Sequence, residues 1–125
     1  MPGTAIGRTR IGLTVLFVQI EEVRTTLPTI AAAEELAAAL VERRIAACVQ
    51  ITGPIQSVYR WQDSINKDQE FSLCCKTSSS RLSQLIDYLQ AHHPYELPEV
   101  LVSCVQATPE YARWLQEQVE CLSPS

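Results

Sequence analysis

The sequence predicts an α+β fold in which helices cover one face of an antiparallel sheet. Three observations carry that prediction. Strand-like and helix-like segments follow one another in the order β-α-β-β-α-β-α. The first two helical stretches each sit between extended segments and carry an apolar stripe at helical spacing. A long hairpin with no helix inside it fills the middle of the chain. Two β-α-β halves around a central hairpin make the ferredoxin-like βαββαβ arrangement, here with an additional C-terminal helix.

Residues 14–20 (TVLFVQI) are β-branched and aromatic and read as the first strand. Residues 21–27 read either as its continuation or as a loop. Pro28 and Thr29 open an Ala- and Leu-rich helix over 30–44, with Leu36, Ala37, Leu40 and Val41 on one stripe. Arg43 and Arg44 stand at its negative end. Residues 47–51 read as strand, Gly53-Pro54 introduces a kink or bulge, and residues 55–61 continue extended, which predicts one long, bent strand. Turn chemistry follows at 63–68 (DSINKD). Over 70–76, Phe71, Leu73 and Cys75 alternate with Ser72, Cys74 and Lys76 as in a strand.

Ser78, Ser79 and Ser80 offer an N-cap to a helix in which Leu82, Leu85, Ile86 and Leu89 repeat at helical spacing, and Pro94 ends it. Residues 98–105 (PEVLVSCV) form the fourth strand. Thr108-Pro109-Glu110 combines an N-cap hydroxyl, a proline at the first helical position and an acid facing the helix dipole. The last helix then shows Tyr111, Trp114, Leu115, Gln118, Val119 and Leu122 on one stripe, where Tyr111 and Trp114 are expected to pack.

With 125 residues, 46% of them hydrophobic and 19% charged, the chain fits a single globular domain, assigned to residues 11–122 after a loose tail at 1–10. A formal charge of −4 and the lack of a basic tract argue against a nucleic-acid partner. The apolar stretch 11–20 has no small-residue cleavage site after it and is too short to span a bilayer, so neither a leader nor a membrane partner is expected. Cysteines at 48, 74, 75, 104 and 121 are odd in number and lack C-x-x-C spacing; they read as reduced thiols in a cytoplasmic protein. Both faces of the long hairpin carry apolar groups, Val58 on one and Tyr59 and Trp61 on the other. That points to pairing with further copies in an obligate oligomer, and from there to high thermal stability. No Gly-rich phosphate loop and no readable Ser-His-Asp order is present, so no catalytic residue is assigned and no enzymatic activity is expected.

Several stretches are more specific than composition. They are RIAACVQITGPIQSVYRWQ over 44–62, Ile65, Asp68 and Glu70 spaced as I-x-x-D-x-E, Lys76-Thr77, HHPYELPEVL over 92–101, and Tyr111-x-x-Trp114-Leu115. Together with the LAAALVERR helix they resemble the CutA family of divalent-cation-tolerance proteins over roughly residues 28–120. The resemblance implies a ferredoxin-like protomer in a compact homotrimer, similar to PII signalling proteins and joined by strand pairing through the long hairpin. It also implies a part in the response to divalent metal ions, with copper the foremost, and no enzymatic reaction. Two positions depart from the family pattern. Neither Ile20 nor Thr25 supplies the family's strand-end thiol, and Tyr88 stands where members with a copper site carry a second cysteine. With two soft ligands missing, copper binding is expected to be weak.

The metal-ligand candidates are His92, His93 and Cys48. Neutral imidazole suits copper or another divalent cation, yet successive residues at a helix end point about 100° apart, so one ion rarely takes both histidines. The competing reading has His92 in solvent, His93 closing the helix through a hydrogen bond, and Cys48 as a small buried hydrophobe. A second constellation, Trp61, Glu70, Lys76, Tyr95 and Glu99 with Glu96 beside it, is read as the lining of a cleft between protomers that takes a small anion or metabolite. Its alternative is an interface network, with Lys76 paired to Glu70 or Glu99 and the aromatics packed. Cys74 shares a strand face with Lys76, whose charge would lower a thiol pKa.

Overall fold

The computed structural model describes residues 8–10 and 13–120. Arg8–Arg10 (β1) pairs antiparallel with Leu13–Val15 (β2) in a short separate ribbon. The main body then runs β3 (Val18–Leu27), α1 (Ile30–Glu42), β4 (Cys48–Trp61), β5 (Ser64–Thr77), a single 3-10 turn (Ser79–Arg81), α2 (Leu82–His92), β6 (Leu101–Ala107) and α3 (Pro109–Val119). Four strands form one antiparallel sheet in the order β4-β5-β3-β6. This is the ferredoxin-like order, with the first main strand in the interior and the last at an edge. Of the tail expected over 1–10, residues 1–7 lie outside the described residues, as does Leu122.

The segment left open between strand and loop is strand. β3 continues through residues 21–27 and pairs over that whole length with β5, from Glu21 opposite Thr77 to Leu27 opposite Phe71. Val23 and Leu27 of β3, with Leu73 and Cys75 of β5, meet Ala33, Leu36 and Leu40 of α1 and Leu85 and Leu89 of α2 in the main core. Helices on one face therefore describes α1 and α2. α3 instead packs at the end of the sheet where β3 begins and β6 ends. There Ala112, Leu115 and Val119 cover Ile20, Ala47 and Ala107. Ile20 has the strand parity opposite to Val23. Two arginines hold the C-terminal end of α3: Arg44 donates to the Gln118 carbonyl at 2.8 Å and Arg81 Nε to the Val119 carbonyl at 2.7 Å.

Helix starts follow the capping chemistry in two cases of three. Thr29 accepts from the Ala32 amide and Thr108 from the Tyr111 amide. Ser78 makes no capping bond; its hydroxyl meets Ser80, and the 3-10 turn intervenes before α2. α1 stops at Glu42, two residues short of the expected end, and Arg44 adopts a positive φ of 59°. The fourth strand begins at Leu101 rather than 98, because β3 partners it only from Arg24 opposite Leu101 onward. The Tyr111 and Trp114 rings meet at a tilt of 40°, 5.5 Å apart, but are exposed, which corrects the expectation that they pack: the buried stripe of α3 is Ala112, Leu115 and Val119.

The hairpin is longer than the turn chemistry suggested. Only Gln62 and Asp63 turn, both at positive φ, and pairing resumes at Trp61 opposite Ser64. Among the described residues, 64–70 have β4 as their sole strand partner, so residues 55–61 and 64–70 form a two-stranded arm beyond the sheet. Val58 and Ile65 point to one face of it and Tyr59 and Trp61 to the other. All four are exposed, Val58 at 58% and Ile65 at 65%.

The expected bend lies at the root of the arm, where the register shifts between Thr52 and Ile55. Gly53 sits there at φ 156°, and a Cβ added to it would fall 2.6 Å from Phe71 Cδ2 and 3.2 Å from the Phe71 Cα. Gly53→Ala is therefore expected to push β4 off β5 and to cost about 1–3 kcal/mol, read as a lower urea midpoint. An unchanged midpoint would show that the strand gives way freely.

Candidate functional site

α2 ends at His92, ahead of Pro94, which cannot continue a helix, and this places the two histidines at the helix end in different surroundings. His92 is exposed. Its Nδ1 lies 3.0 Å from the Tyr88 carbonyl, one turn back, and its ring stacks on Tyr88 at 4.0 Å. The carbonyl can only accept, so Nδ1 carries the proton and Nε2 is left as an open acceptor facing solvent.

His93 is half-buried and both its nitrogens are engaged. Nδ1 accepts the Tyr95 amide at 3.1 Å, which places the neutral ring's proton on Nε2, where it is donated to Thr25 Oγ1 at 2.9 Å. Burial holds the His93 pKa below its ordinary value; the Thr26 backbone and the Glu70 charge pull upward without cancelling that. Tyr95 continues the chain of contacts, donating to Glu70 Oε2 at 2.8 Å. Burial first, and then the Glu70 carboxylate, raise the Tyr95 pKa. Tyr59 donates to Asp68 nearby, which raises its own pKa. Thr25, His93, Tyr95 and Glu70 thus tie β3, the end of α2, the approach to β6 and the root of the arm.

The remaining candidates lie elsewhere. Cys48 pairs with Lys76, and Lys76 with Glu22, whereas Thr25 pairs with Leu73 and Leu73 with Ile51. Cys48 is therefore three residues along the sheet and two strands across from His93's partner, roughly 10 Å in each direction. Cys48 and His93 do not meet within one chain, and among the described residues no group of three or more His, Cys, Asp and Glu could hold a metal ion.

Of the second constellation, the structure brings Glu70 and Tyr95 into contact. Trp61 sits at the tip of the arm opposite Ser64, twelve residues of β5 away from Lys76, about 40 Å along an extended strand. Glu96 and Glu99 are exposed on the approach to β6. The Cys74 thiol is raised rather than lowered, by burial first and then by Glu22, with Arg24 opposing. Burial pushes Cys75 up to about 12.

One buried charge escaped the sequence reading. Glu21 is 2% exposed and accepts from Gln19 Nε2 at 2.9 Å, Ser79 Oγ at 2.8 Å and the Cys104 thiol at 3.3 Å. Burial alone would raise its pKa, but these three donors outweigh it and hold the carboxyl below its ordinary value. Cys104 is exposed, and the same carboxylate raises its pKa. The available signal was the parity of β3, which points Glu21 to the same side as Val23.

A family model described as CutA1 divalent ion tolerance protein matches residues 22–118. Protein CutA of Mus musculus is 39% identical over 101 residues, covering 80% of this chain and 57% of that protein, so the chain spans little more than half the length of that relative. Among solved structures, CutA from Synechococcus elongatus PCC7942 superposes with a TM-score of 0.78 at 41% identity, over 82% of this chain and 91% of that one. The PII-like protein CutA from Nostoc sp. PCC 7120 in apo form gives 0.75 at 31% identity, over 80% and 97%.

His93 sets a pH dependence. Because its folded pKa lies below the unfolded value of 6.5, the unfolded chain takes up the proton first, and stability falls as pH drops below 6.5. Urea unfolding between about pH 7 and about pH 5 should show that loss, and His93→Asn should flatten it over the same interval. An identical slope in the variant would remove His93 as its source.

Proposed function

The chain belongs to the CutA1 divalent ion tolerance family, and from that premise we propose that it works as a cytoplasmic homotrimer, joined through its β4–β5 arms, in the response to divalent metal ions. The exposed arm carries this reading. A two-stranded ribbon is marginal in water on its own, and this one has apolar side chains on both faces and no covering element among the described residues. Strands and faces from neighbouring copies supply what it lacks. No helix among the described residues is long and apolar enough to cross a membrane.

The protein acts by binding. His92 offers one open imidazole nitrogen for copper, while His93 would have to give up the Tyr95 amide or the Thr25 hydroxyl to coordinate. One borderline ligand without thiolates makes a weak copper site. A PII-like reading, with a small anion in a cleft between copies, has one observation in its favour. The Lys76 ammonium has no hydrogen-bond or ion-pair partner among the described residues, and it lies too far from Trp61 for one chain to close that cleft.

Sedimentation equilibrium should give a mass of three chains, and a Val58→Glu/Ile65→Lys arm variant should give monomers with a lower, concentration-independent melt. A monomeric parent protein would contradict the assembly. Copper titration of the reduced protein against a chelator should show binding weaker than micromolar that His92→Ala removes and His93→Ala retains. Loss in both variants or in neither would contradict His92 as the ligand. No copper binding, with phosphate binding lost in Lys76→Met, would favour the anion cleft.

A further inference from the structure

The groove between the end of α1 and the outer face of α2 has polar groups arranged for a ligand, and nothing above uses it. It is an open groove of about 560 Å³, lined by Arg43, Ile45, Gln84, Asp87 and Tyr88. That volume lies within the range of small-molecule sites. Gln84, Asp87 and Tyr88 are spaced i, i+3, i+4, so they share one stripe of α2. Arg43 caps α1, its backbone amide donating to the Ala39 carbonyl at 3.0 Å, and its guanidinium rests over the Tyr88 ring at 5.6 Å. Tyr88 is itself stacked on His92 at 4.0 Å, so the aromatic platform under the cation is held in place.

The guanidinium of Arg43 has no hydrogen-bond acceptor among the described residues, and neither does the Asp87 carboxylate have a donor. Gln84 is oriented: its Oε1 accepts from Arg81, so both amide hydrogens remain available. The groove thus presents a planar cation, an amide donor and a carboxylate, with Ile45, 3% exposed, as its apolar floor.

We propose that this groove binds small zwitterions of the α-amino-acid type. The ligand carboxylate is taken by Arg43, whose fork matches it bidentately, with Gln84 as a second donor. The ligand ammonium is taken by Asp87, and an aliphatic side chain lies against Ile45. Asp87 also sets the selectivity, since its charge repels an anion that lacks an accompanying cation. Holding Arg43 on Tyr88 lowers the ordering cost of binding. The site lies on α1 and α2, away from the arm, so it stands or falls independently of the assembly.

Three probes of one skeleton test it: L-leucine, 4-methylpentanoate, which lacks the amine, and 3-methylbutylamine, which lacks the carboxylate. Each is titrated into the 15N-labelled full chain, following the Arg43 Nε and Gln84 side-chain signals. Leucine should give saturable shifts, with both truncated probes about tenfold weaker. Arg43→Gln should abolish the response to leucine, Asp87→Asn should bring 4-methylpentanoate level with leucine, and Arg113→Gln on α3 should change nothing. Absence of saturation by leucine, equal binding of all three probes, or a response unchanged in Arg43→Gln would overturn the proposal.

Discussion

The β4–β5 arm is a pair of strands that neither a third strand nor a helix covers among the described residues, and the rest of the molecule is arranged around that fact. Among the described residues, seven on each side of the turn pair only with one another. A ribbon of this kind has backbone hydrogen bonds but no core, because both faces are open and its apolar side chains remain in water. The chain nevertheless directs it with care. The register shift at Gly53 and Pro54 sets its departure from the sheet, and Phe71 packs so closely on Gly53 that a larger residue there would disturb the bend. Tyr95 holds Glu70 at its root, and Tyr59 holds Asp68 one pleat further out. This anchored and exposed segment is the one through which the proposed homotrimer would be joined.

The two adjacent histidines show how position separates chemistry that composition cannot. His92 keeps an open nitrogen because its other nitrogen is satisfied by the helix it ends. His93, one residue on, is turned inward by Pro94 and spends both nitrogens on the fold, one on the Tyr95 amide and one on Thr25. Glu21 follows the same logic as His93. It is a titratable group placed in the interior in the protonation state that its partners require, and its donors come from Gln19 on its own strand and from Ser79 and Cys104 elsewhere in the chain.

Much of the fold was legible because its signals are local. Thr29 and Thr108 cap their helices through bonds three residues away, the Gly53-Pro54 step marks its own bend, and the alternation of Leu73 and Cys75 declares a strand face. Misreadings arose where a distant partner overrode local chemistry. The polar text of 64–68 looks like a loop, yet opposite residues 57–61 it pairs as strand. Residues 21–22 look unsuited to a sheet until the donors to Glu21 are known. Tyr111 and Trp114 fit an apolar stripe, but the sheet end they would cover is filled by Leu115 and Val119. For the site, the link between Thr25 and His93 spans 68 residues of sequence, and no spacing rule reaches that far. The Trp61–Lys76 grouping is compact in sequence only, because a hairpin's tip and its root are few residues apart yet far apart in space.

Amide hydrogen exchange across the arm tests its completion by other copies most directly. If neighbouring chains cover it, the amides of residues 55–61 and 64–70 will exchange as slowly as those of β3, which lies inside the sheet. Exchange in the arm at the rate of a frayed, solvent-exposed hairpin, while β3 stays protected, would contradict it and leave the arm as a free ribbon.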